Sequence, residues 1–343
     1  MKHLLLVVST LFVLSCPVAN ADEWGAVELV RQTIRPGEKL KYSAIEERSF
    51  EGSYLNIPVF VARGLTAGPT LCVTAGIHGD EMNGVESARR AFLQADPATM
   101  AGMLVVLPTL NADGFRNGDR YLPDRRDLNR FFPGSERGSV ASIMANAIFE
   151  QVIKRCDALV DLHTASFHRT NLPQIRVDES NAAALALARN FGAGIIIGGA
   201  GPEGSLRREA MNAGVLAIIY EAGEPLRFEE GPIVQGVTGI ANVMQYLGMV
   251  QGTHELVPES RIFTKSSWVR APKRQGGFFF PTVAPGDSVN KGDVLGEVVD
   301  PLTDERHTIT ATLSGEVIGM SVPQITLSGY GLVHIGIPGK APE

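Results

Sequence analysis

The amino-acid sequence predicts an α/β fold, a mixed sheet flanked by helices, with a small all-β, barrel-like domain at the C-terminus. Between about residues 50 and 250, short β-branched or apolar runs alternate with alanine-rich segments of helical length. This alternation is typical of a parallel or mixed sheet covered by helices. After residue 250 the alanine-rich segments stop, and short strands punctuated by glycine follow. That change of pattern predicts a second domain of a different class.

The predicted elements follow from these runs. Predicted strands cover residues 56–62, 70–75, 103–107, 158–162, 195–197 and 215–220. Predicted helices cover residues 84–94, 139–155, 180–191 and 233–247. The predicted domains are an α/β domain over 22–252 and a β-rich domain over 267–343, with the boundary between Gly252 and Ser267. Because ligands of open α/β sheets bind beyond the carboxyl ends of strands, polar residues at those ends are the first candidates for a site.

Residues 1–21 have the pattern of an export signal. A lysine precedes the apolar run LLLVVSTLFVL, and small residues then predict cleavage after Ala21. The run is too short for a mature anchor, and no other stretch reaches the roughly 18 apolar residues that a membrane span needs. A lipoprotein signal acylated at Cys16 is the alternative, which Leu14 and Pro17 fit poorly. Both interpretations predict a periplasmic or secreted protein, with at most a lipid anchor.

Charge and cysteine content narrow the class of protein further. The chain has 31 basic and 37 acidic side chains, and the predicted signal contains only Lys2 among them, so the mature net charge is −7. This mild acidity argues against nucleic acid or an anionic membrane as a partner. Cys72 and Cys156 remain after cleavage, each in an apolar run, which favours two small buried side chains. A disulfide between them is the alternative in an oxidising compartment.

Two segments at strand ends carry candidate metal ligands. The segment GIHGDE, with His78 and Glu81, directly follows the predicted strand 70–75, and this spacing can chelate one divalent ion from a single turn. Taken alone the spacing is a modest indication, because a histidine in a loop is more often simply solvated. His163 directly follows the apolar run ALVDL, at the carboxyl end of the predicted strand 158–162. Two histidines and one carboxylate leave a fourth zinc position open to water, as catalytic sites do.

Other polar residues near these segments have less specific patterns. Asp161 and His163 point to the same side of a strand, so Asp161 can orient a ligand imidazole, and an acid that caps the following loop is an equal alternative. His168 could be a substrate contact, another ligand or an ordinary loop residue, and the ordinary loop residue is favoured.

An arginine-rich loop separates the two metal segments. It contains NADGF at 111–115, then Arg120, then DLNR at 127–130. Arginines at such a place can bind a substrate carboxylate in bidentate fashion or stabilise the oxyanion formed during attack on a carbonyl. A solvated basic loop is the alternative, and it is favoured for Arg125 and Arg126.

A carboxylate is also available to activate a metal-bound water. Glu221 directly follows the predicted strand 215–220, where a base could take the proton of the water and return it to a leaving amine. Glu224 is the second choice, and either residue could instead cap a turn.

With these segments assembled, the chain resembles the succinylglutamate desuccinylase and aspartoacylase family, relatives of the zinc carboxypeptidases, from about Tyr54 to the C-terminus. GIHGDE, DLH, NADGF and DLNR carry the resemblance. It implies one Zn²⁺ per chain, bound by three of the residues above, and roles for four more. These are the ligands His78, Glu81 and His163, the base Glu221, the oxyanion partner Arg120, and the binders of a substrate carboxylate Asn129 and Arg130.

Two departures from the family pattern fall near these residues. The segment between Arg120 and Asp127 is about two residues longer than in short family members. Ile219 stands where the family often has threonine.

The C-terminal segment 269–318 resembles the small β module of biotinyl and lipoyl carriers. The turn at 300–306, where a carrier presents its modified lysine, contains no lysine, which argues against a swinging-arm cofactor. In this family the appended β domain looks like a wall or lid over the zinc cleft, and that arrangement is expected here.

The leading functional hypothesis is therefore a zinc-dependent amidohydrolase that removes the acyl group of an N-acyl amino acid or a similar small amide bearing a carboxylate. An exported zinc carboxypeptidase acting on peptides is the first alternative. A non-catalytic protein that keeps the metal pocket to bind a ligand is the second.

Overall fold

A computed structural model describes residues 24–48, 54–252, 260–322 and 324–339. The predicted export signal, with Cys16, lies outside the described residues, and so does the segment 253–259 of the predicted domain boundary. No described helix is both long and apolar enough to cross a membrane.

The helices cover the α/β part of the chain. In the described ranges they are α1 Met82–Gln94, α2 Ala112–Asn117, α3 Val140–Gln151, α4 Ala182–Phe191, α5 Leu206–Asn212 and α6 Glu230–Tyr246, with single 3-10 turns at Leu128–Arg130 and Ile153–Arg155.

The strands fall into two groups along the chain. Those before residue 252 are β1 Val27–Leu29, β2 Gln32–Ile34, β3 Lys39–Arg48, β4 Tyr54–Arg63, β5 Thr66–Ala75, β6 Ala101–Leu107, β7 Ala158–His163, β8 Arg169–Val177, β9 Ile195–Gly198 and β10 Leu216–Gly223. Those after it are β11 Arg261–Arg270, β12 Gly277–Pro281, β13 Ser288–Val289, β14 Val294–Val299, β15 Arg306–Thr310, β16 Gly315–Ser321, β17 Gln324–Thr326 and β18 Gly331–Pro338.

The α/β part is a mixed sheet in the order β3-β4-β6-β5-β7-β10-β8-β9. Strands β6, β5, β7 and β10 are parallel to one another, whereas β3, β4 and β8 run antiparallel to their inner neighbours. Two separate apolar clusters cover its faces, one packed with α1, α4 and α6 and the other with α3 and α5. A sheet buried on both faces explains why its strands are nearly continuous apolar runs. The predicted α/β class is confirmed.

All of the predicted strands and helices are present, with errors at their ends. Strand β10 continues through residue 223, so Glu221 lies inside the strand and not after it. The predicted helix 139–155 is α3 followed by a 3-10 turn. Strands β1, β2, β3 and β8 and helices α2 and α5 were not predicted. Strand β8 is missing from the prediction because RTNLPQIRV contains proline and polar residues, which depress strand propensity.

Strands from the two ends of the chain form a closed ring. Starting from β8, hydrogen-bonded neighbours run β8-β9-β11-β18-β16, and β16 pairs back to β8. Its interior is filled by Leu172, Ile195, Ile197, Phe263 and Ile318. Four strands that follow the predicted boundary, β11, β18, β16 and β13, therefore extend the sheet formed by the strands that precede it. The remaining C-terminal strands form a second sheet, β15-β14-β12-β17, over a separate apolar cluster.

Cys72 and Cys156 form a disulfide with a Cα–Cα distance of 5.8 Å. Both side chains are buried as predicted, but the favoured interpretation, which left them unbridged, was wrong. Cys72 lies on β5, and Cys156 lies two residues before β7, the parallel neighbour of β5. The sequence does not specify that these two strands are adjacent, and this adjacency brings the thiols together.

We expect the Cys72→Ala, Cys156→Ala double variant to lose about 2–4 kcal/mol of unfolding free energy, because the bridge restricts the unfolded chain. The bridged residues are 84 apart in sequence, so the restricted loop is long. Urea denaturation followed by circular dichroism measures the difference. Thiol titration of the denatured, unreduced wild-type protein should find no free thiol from these two residues. Two reactive thiols per chain would contradict the bridge.

Candidate active site

The turn between β5 and α1 carries two of the three predicted metal ligands. His78 lies in the turn, and Glu81 immediately precedes α1. Gly79 permits this turn to approach the NADGF loop, since a Cβ there would lie only 2.0 Å from the carbonyl carbon of Gly114. No side chain fits at that distance, which explains the glycine between the two ligands.

The third ligand, His163, is the last residue of β7, and the structure brings all three together. The Nδ1 atoms of His78 and His163 lie 2.8 Å from Oε1 and 2.7 Å from Oε2 of Glu81, respectively. One ligand atom from each residue lies within 4.8 Å of the others, and all three side chains are buried. Two imidazole nitrogens and one carboxylate oxygen, with room for a fourth ligand, are the donor set of a catalytic zinc site.

A carboxylate holds the outer nitrogen of each histidine. Nε2 of His78 lies 3.1 Å from Asp127, and Nε2 of His163 lies 2.9 Å from Asp161. Asp161 is fully buried and accepts a further hydrogen bond of 2.7 Å from Thr74. Such contacts fix the ring orientation so that both Nδ1 atoms face the candidate metal position. The sequence left Asp161 open between this role and a loop cap, and it did not single out Asp127.

The protonation states of the cluster are set by mutual charge. Burial alone would raise the pKa of Glu81, but His78 and His163 hold that pKa well below its usual range. Burial lowers the pKa of His163, yet Asp161 and Glu81 outweigh it and keep the pKa well above 6.5. A protonated His163 would supply positive charge at the place where a metal cation would supply it, and metal binding would then displace that proton.

Arg120 lies next to the candidate metal position. Its guanidinium donates to Glu81 at 3.2 Å, to Asp127 at 3.1 Å and to the hydroxyl of Ser166. Ser166 also donates to Glu81 at 3.0 Å. The longer loop between Arg120 and Asp127 therefore still places the Arg120 guanidinium beside the candidate metal position. Ser166 was not recognised from the sequence, because it lies in an irregular segment after β7.

Asn129 and Arg130 lie on the cavity wall, on the 3-10 turn at Leu128–Arg130. The side-chain oxygen of Asn129 accepts from the backbone N–H of Leu206 at 2.8 Å, at the start of α5. This contact occupies Oδ1, and the Nδ2 group remains available to donate to a substrate. Arg130 is exposed and donates to the backbone oxygen of Asn129 at 2.6 Å.

Glu221 lies on β10 directly beside His163, its register partner on the parallel strand β7. Both side chains line a cavity of about 390 Å³ that also includes Arg120, Asn129 and Arg130. Glu224 does not line this cavity and pairs with Arg227 at 3.4 Å. Oε2 of Glu221 accepts hydrogen bonds from residues of β8, a strand that the sequence did not reveal.

The cavity wall is rich in guanidinium groups that the sequence analysis did not assign to it. Besides the two loop arginines, the wall includes Arg169, Arg176 and Arg207. Arg207 is buried, its Nε and one terminal nitrogen have no partner among the residues that the structure describes, and burial together with Arg176 lowers its pKa to about 10. Five arginines face two carboxylates, Glu81 and Glu221, so the cavity favours an anionic ligand.

The C-terminal part contributes Trp268 of β11 to the same wall. The Arg169 guanidinium lies between two C-terminal aromatic rings, 4.8 Å from the centre of Trp268 and 4.3 Å from that of Tyr330. His168, which precedes it, does not line the cavity, and its backbone oxygen accepts from Val322 at 3.1 Å. These contacts of Trp268 and Tyr330 with Arg169 support the expectation that the appended β-rich part borders the cleft.

Comparison with known families places these residues in context. The family described as "Succinylglutamate desuccinylase/Aspartoacylase catalytic domain" matches residues 67–247, more than half of the chain. The chain belongs to this family. The match confirms the resemblance inferred from GIHGDE, DLH, NADGF and DLNR. The names in the family description denote enzymes that remove an acyl group.

The individual proteins that match this chain have low sequence identity to it. N-alpha-acetyl-L-2,4-diaminobutyric acid deacetylase of Halomonas elongata is 27% identical over 273 residues, 76% of this chain and 79% of that protein. A succinylglutamate desuccinylase/aspartoacylase structure from Rhodobacter sphaeroides gives a TM-score of 0.79 at 23% identity, covering 89% of this chain and 98% of that one. The product-bound ectoine utilization protein EutE (DoeB) of Ruegeria pomeroyi gives 0.80 at 22% identity, covering 89% and 97%. These structural matches show the fold.

We expect Asp161→Asn to weaken Zn²⁺ binding by about 10–100-fold, because the amide holds the His163 ring less well than the carboxylate does. Competition with a fluorescent zinc chelator measures the affinity. Asp113→Asn is the matched control, since Asp113 forms an ion pair with Arg116 outside the cavity and should leave the affinity unchanged. An Asp161→Asn protein that binds zinc as tightly as the wild type would contradict a ligand-orienting role.

Proposed function

We propose that this protein is a zinc-dependent amidohydrolase that removes the acyl group from a small N-acyl amino acid. One observation carries the proposal: His78, Glu81 and His163 converge on one position inside a cavity that also contains Glu221. A metal site alone is compatible with ligand binding. Hydrolysis also needs a base near the metal position, and the Glu221 carboxylate can act as that base. Family membership supports deacylation as the reaction class.

The three ligands would hold Zn²⁺, which polarises the substrate carbonyl and acidifies water. Glu221 accepts the proton of the attacking water and returns it to the nitrogen of the leaving amine, so that the C–N bond breaks without release of an amide anion. Arg120 donates hydrogen bonds to the oxygen that becomes negative during attack. Its guanidinium is fixed by Glu81 and Asp127, so the donors need little reorganisation.

The substrate class follows from the cavity wall. Arg130 and the Nδ2 group of Asn129 would bind a carboxylate of the substrate, and a guanidinium matches the geometry of a carboxylate. The other arginines of the wall also favour an anionic amide over a cationic one. The Halomonas relative, named as a deacetylase of an acetylated diamino acid, supports a small acylated amino acid as the type of substrate.

Glu221→Gln should lower kcat by about 10²–10⁴-fold while one zinc ion per chain remains bound, because the amide cannot accept a proton. Amine release from a panel of N-acetyl and N-succinyl amino acids measures turnover. Glu224→Gln is the matched control, a like change three residues away and outside the cavity, and should retain wild-type kcat.

Three other outcomes of this assay would contradict the proposal. Release of C-terminal residues from peptides, without release from the acylated amino acids, would identify a carboxypeptidase. Absence of turnover on both panels by zinc-loaded wild-type protein would favour a ligand-binding role. Full activity of Glu221→Gln would remove Glu221 as the base.

We also infer that the protein is exported to the periplasm or secreted. The apolar segment before Ala21 supports export, and the Cys72–Cys156 disulfide is of a kind that persists in oxidising compartments. Intact mass spectrometry of the full chain expressed in a Gram-negative host should give a mature protein that begins at Asp22. An acylated N-terminal Cys16 would support the lipoprotein alternative. An uncleaved chain that stays in the cytoplasm would contradict export.

A further inference from the structure

The carboxylate of Glu221 is anchored through one of its two oxygens. Oε2 accepts a hydrogen bond of 2.9 Å from Nδ2 of Asn171 and one of 2.8 Å from a terminal nitrogen of Arg176. Among the described residues, Oε1 has no hydrogen-bond donor, and the side chain lines the cavity. The two oxygens of the proposed base therefore have different environments, one held and one free.

Both donors belong to β8, which lies between β10 and the C-terminal strand β16. Asn171 is buried, and its register partner on β16 is Gly319. A Cβ at residue 319 would lie 2.4 Å from Oδ1 of Asn171 and 3.0 Å from the backbone oxygen of Thr170. The absence of a side chain at residue 319 therefore leaves room for the Asn171 amide. The Oδ1 atom of this amide points towards β16, and its Nδ2 atom points towards Glu221.

Arg176 provides the second, charged hydrogen bond and lines the same cavity. Hydrogen bonds to ionised groups are shorter and stronger than neutral ones, so this pair fixes the direction of the carboxylate as well as its place. A base that rotates freely spends part of its time out of reach of the proton it must accept, and small misplacements reduce turnover.

We infer that Asn171 and Arg176 are positioning residues that hold Glu221 by Oε2 so that Oε1 exchanges the proton, and that β16 sets the place of Asn171 through Gly319. The inference depends on the proposed function, because it assumes that Glu221 is the base. By this inference the C-terminal part does more than border the cavity, because β16 positions Asn171, which in turn holds the base.

The first test is Asn171→Ala in the full-length, zinc-loaded protein. Loss of one hydrogen bond to the Glu221 carboxylate should lower kcat by about 10-fold, with KM and zinc content within about 2-fold of the wild type. Arg176→Met should act in the same direction, and Arg176→Lys, which keeps the charge, should recover part of the loss. A wild-type kcat for both Asn171→Ala and Arg176→Met would overturn the inference.

A double-mutant cycle tests whether the two residues act through Glu221. In a Glu221→Gln background the Asn171→Ala change should lower kcat by less than about 2-fold, because coupling between residues in contact makes their effects non-additive. An undiminished 10-fold effect there would show a role unrelated to the base, and it would overturn the inference while leaving the proposed function intact. Failure of Glu221→Gln itself to reduce turnover would instead remove Glu221 as the base, the part of the proposed function on which this inference depends.

The contribution of β16 is tested by Gly319→Ala, a change that removes no hydrogen-bonding group. It should lower kcat by about 5–10-fold in the wild type and by less than about 2-fold in the Asn171→Ala protein, since the clashing Oδ1 is then absent. Gly231→Ala on α6, where a Cβ meets nothing within 4 Å, is the matched glycine control and should retain wild-type kcat. Equal effects of Gly319→Ala in both backgrounds would overturn this part of the inference.

Discussion

The structure of the site depends on one buried carboxylate. Glu81 is only 1% exposed, and an ionised carboxylate at such depth is costly unless it is paired and hydrogen-bonded. Its oxygens contact both histidine rings, the Arg120 guanidinium, the Ser166 hydroxyl and the backbone N–H of Thr164. These partners come from separate segments of the chain. The segments must therefore be brought together correctly before the carboxylate can be buried.

The ligand residues could be predicted because their signals are local. His78, Glu81 and His163 each lie at the carboxyl end of an apolar run, and the topology of α/β sheets brings such ends to one edge. Arg120, Asn129 and Arg130 were named through the family resemblance, and the structure places them on the same cavity. The fold class could also be predicted, because apolar strand-like runs alternate with alanine-rich helical segments along the sequence.

The remaining parts of the site depend on pairings between distant strands. Asn171 and Arg176 lie on β8, whose polar sequence does not look like a strand, and their contact with Glu221 requires β8 to pair with β10. Cys72 and Cys156 meet only because β5 and β7 are neighbours. Strand order cannot be read from local periodicity, so these contacts follow from the tertiary structure alone.

The closed ring of β8, β9, β11, β18 and β16 has a consequence for how the molecule can move. In many two-part enzymes the parts rotate about a flexible linker, which opens the cleft for entry and closes it for reaction. Here such a rotation would break two backbone ladders at once, β9 with β11 and β8 with β16, and would expose the apolar ring interior to water. Substrate entry and product exit must therefore rely on local motion of loops around a rigid frame.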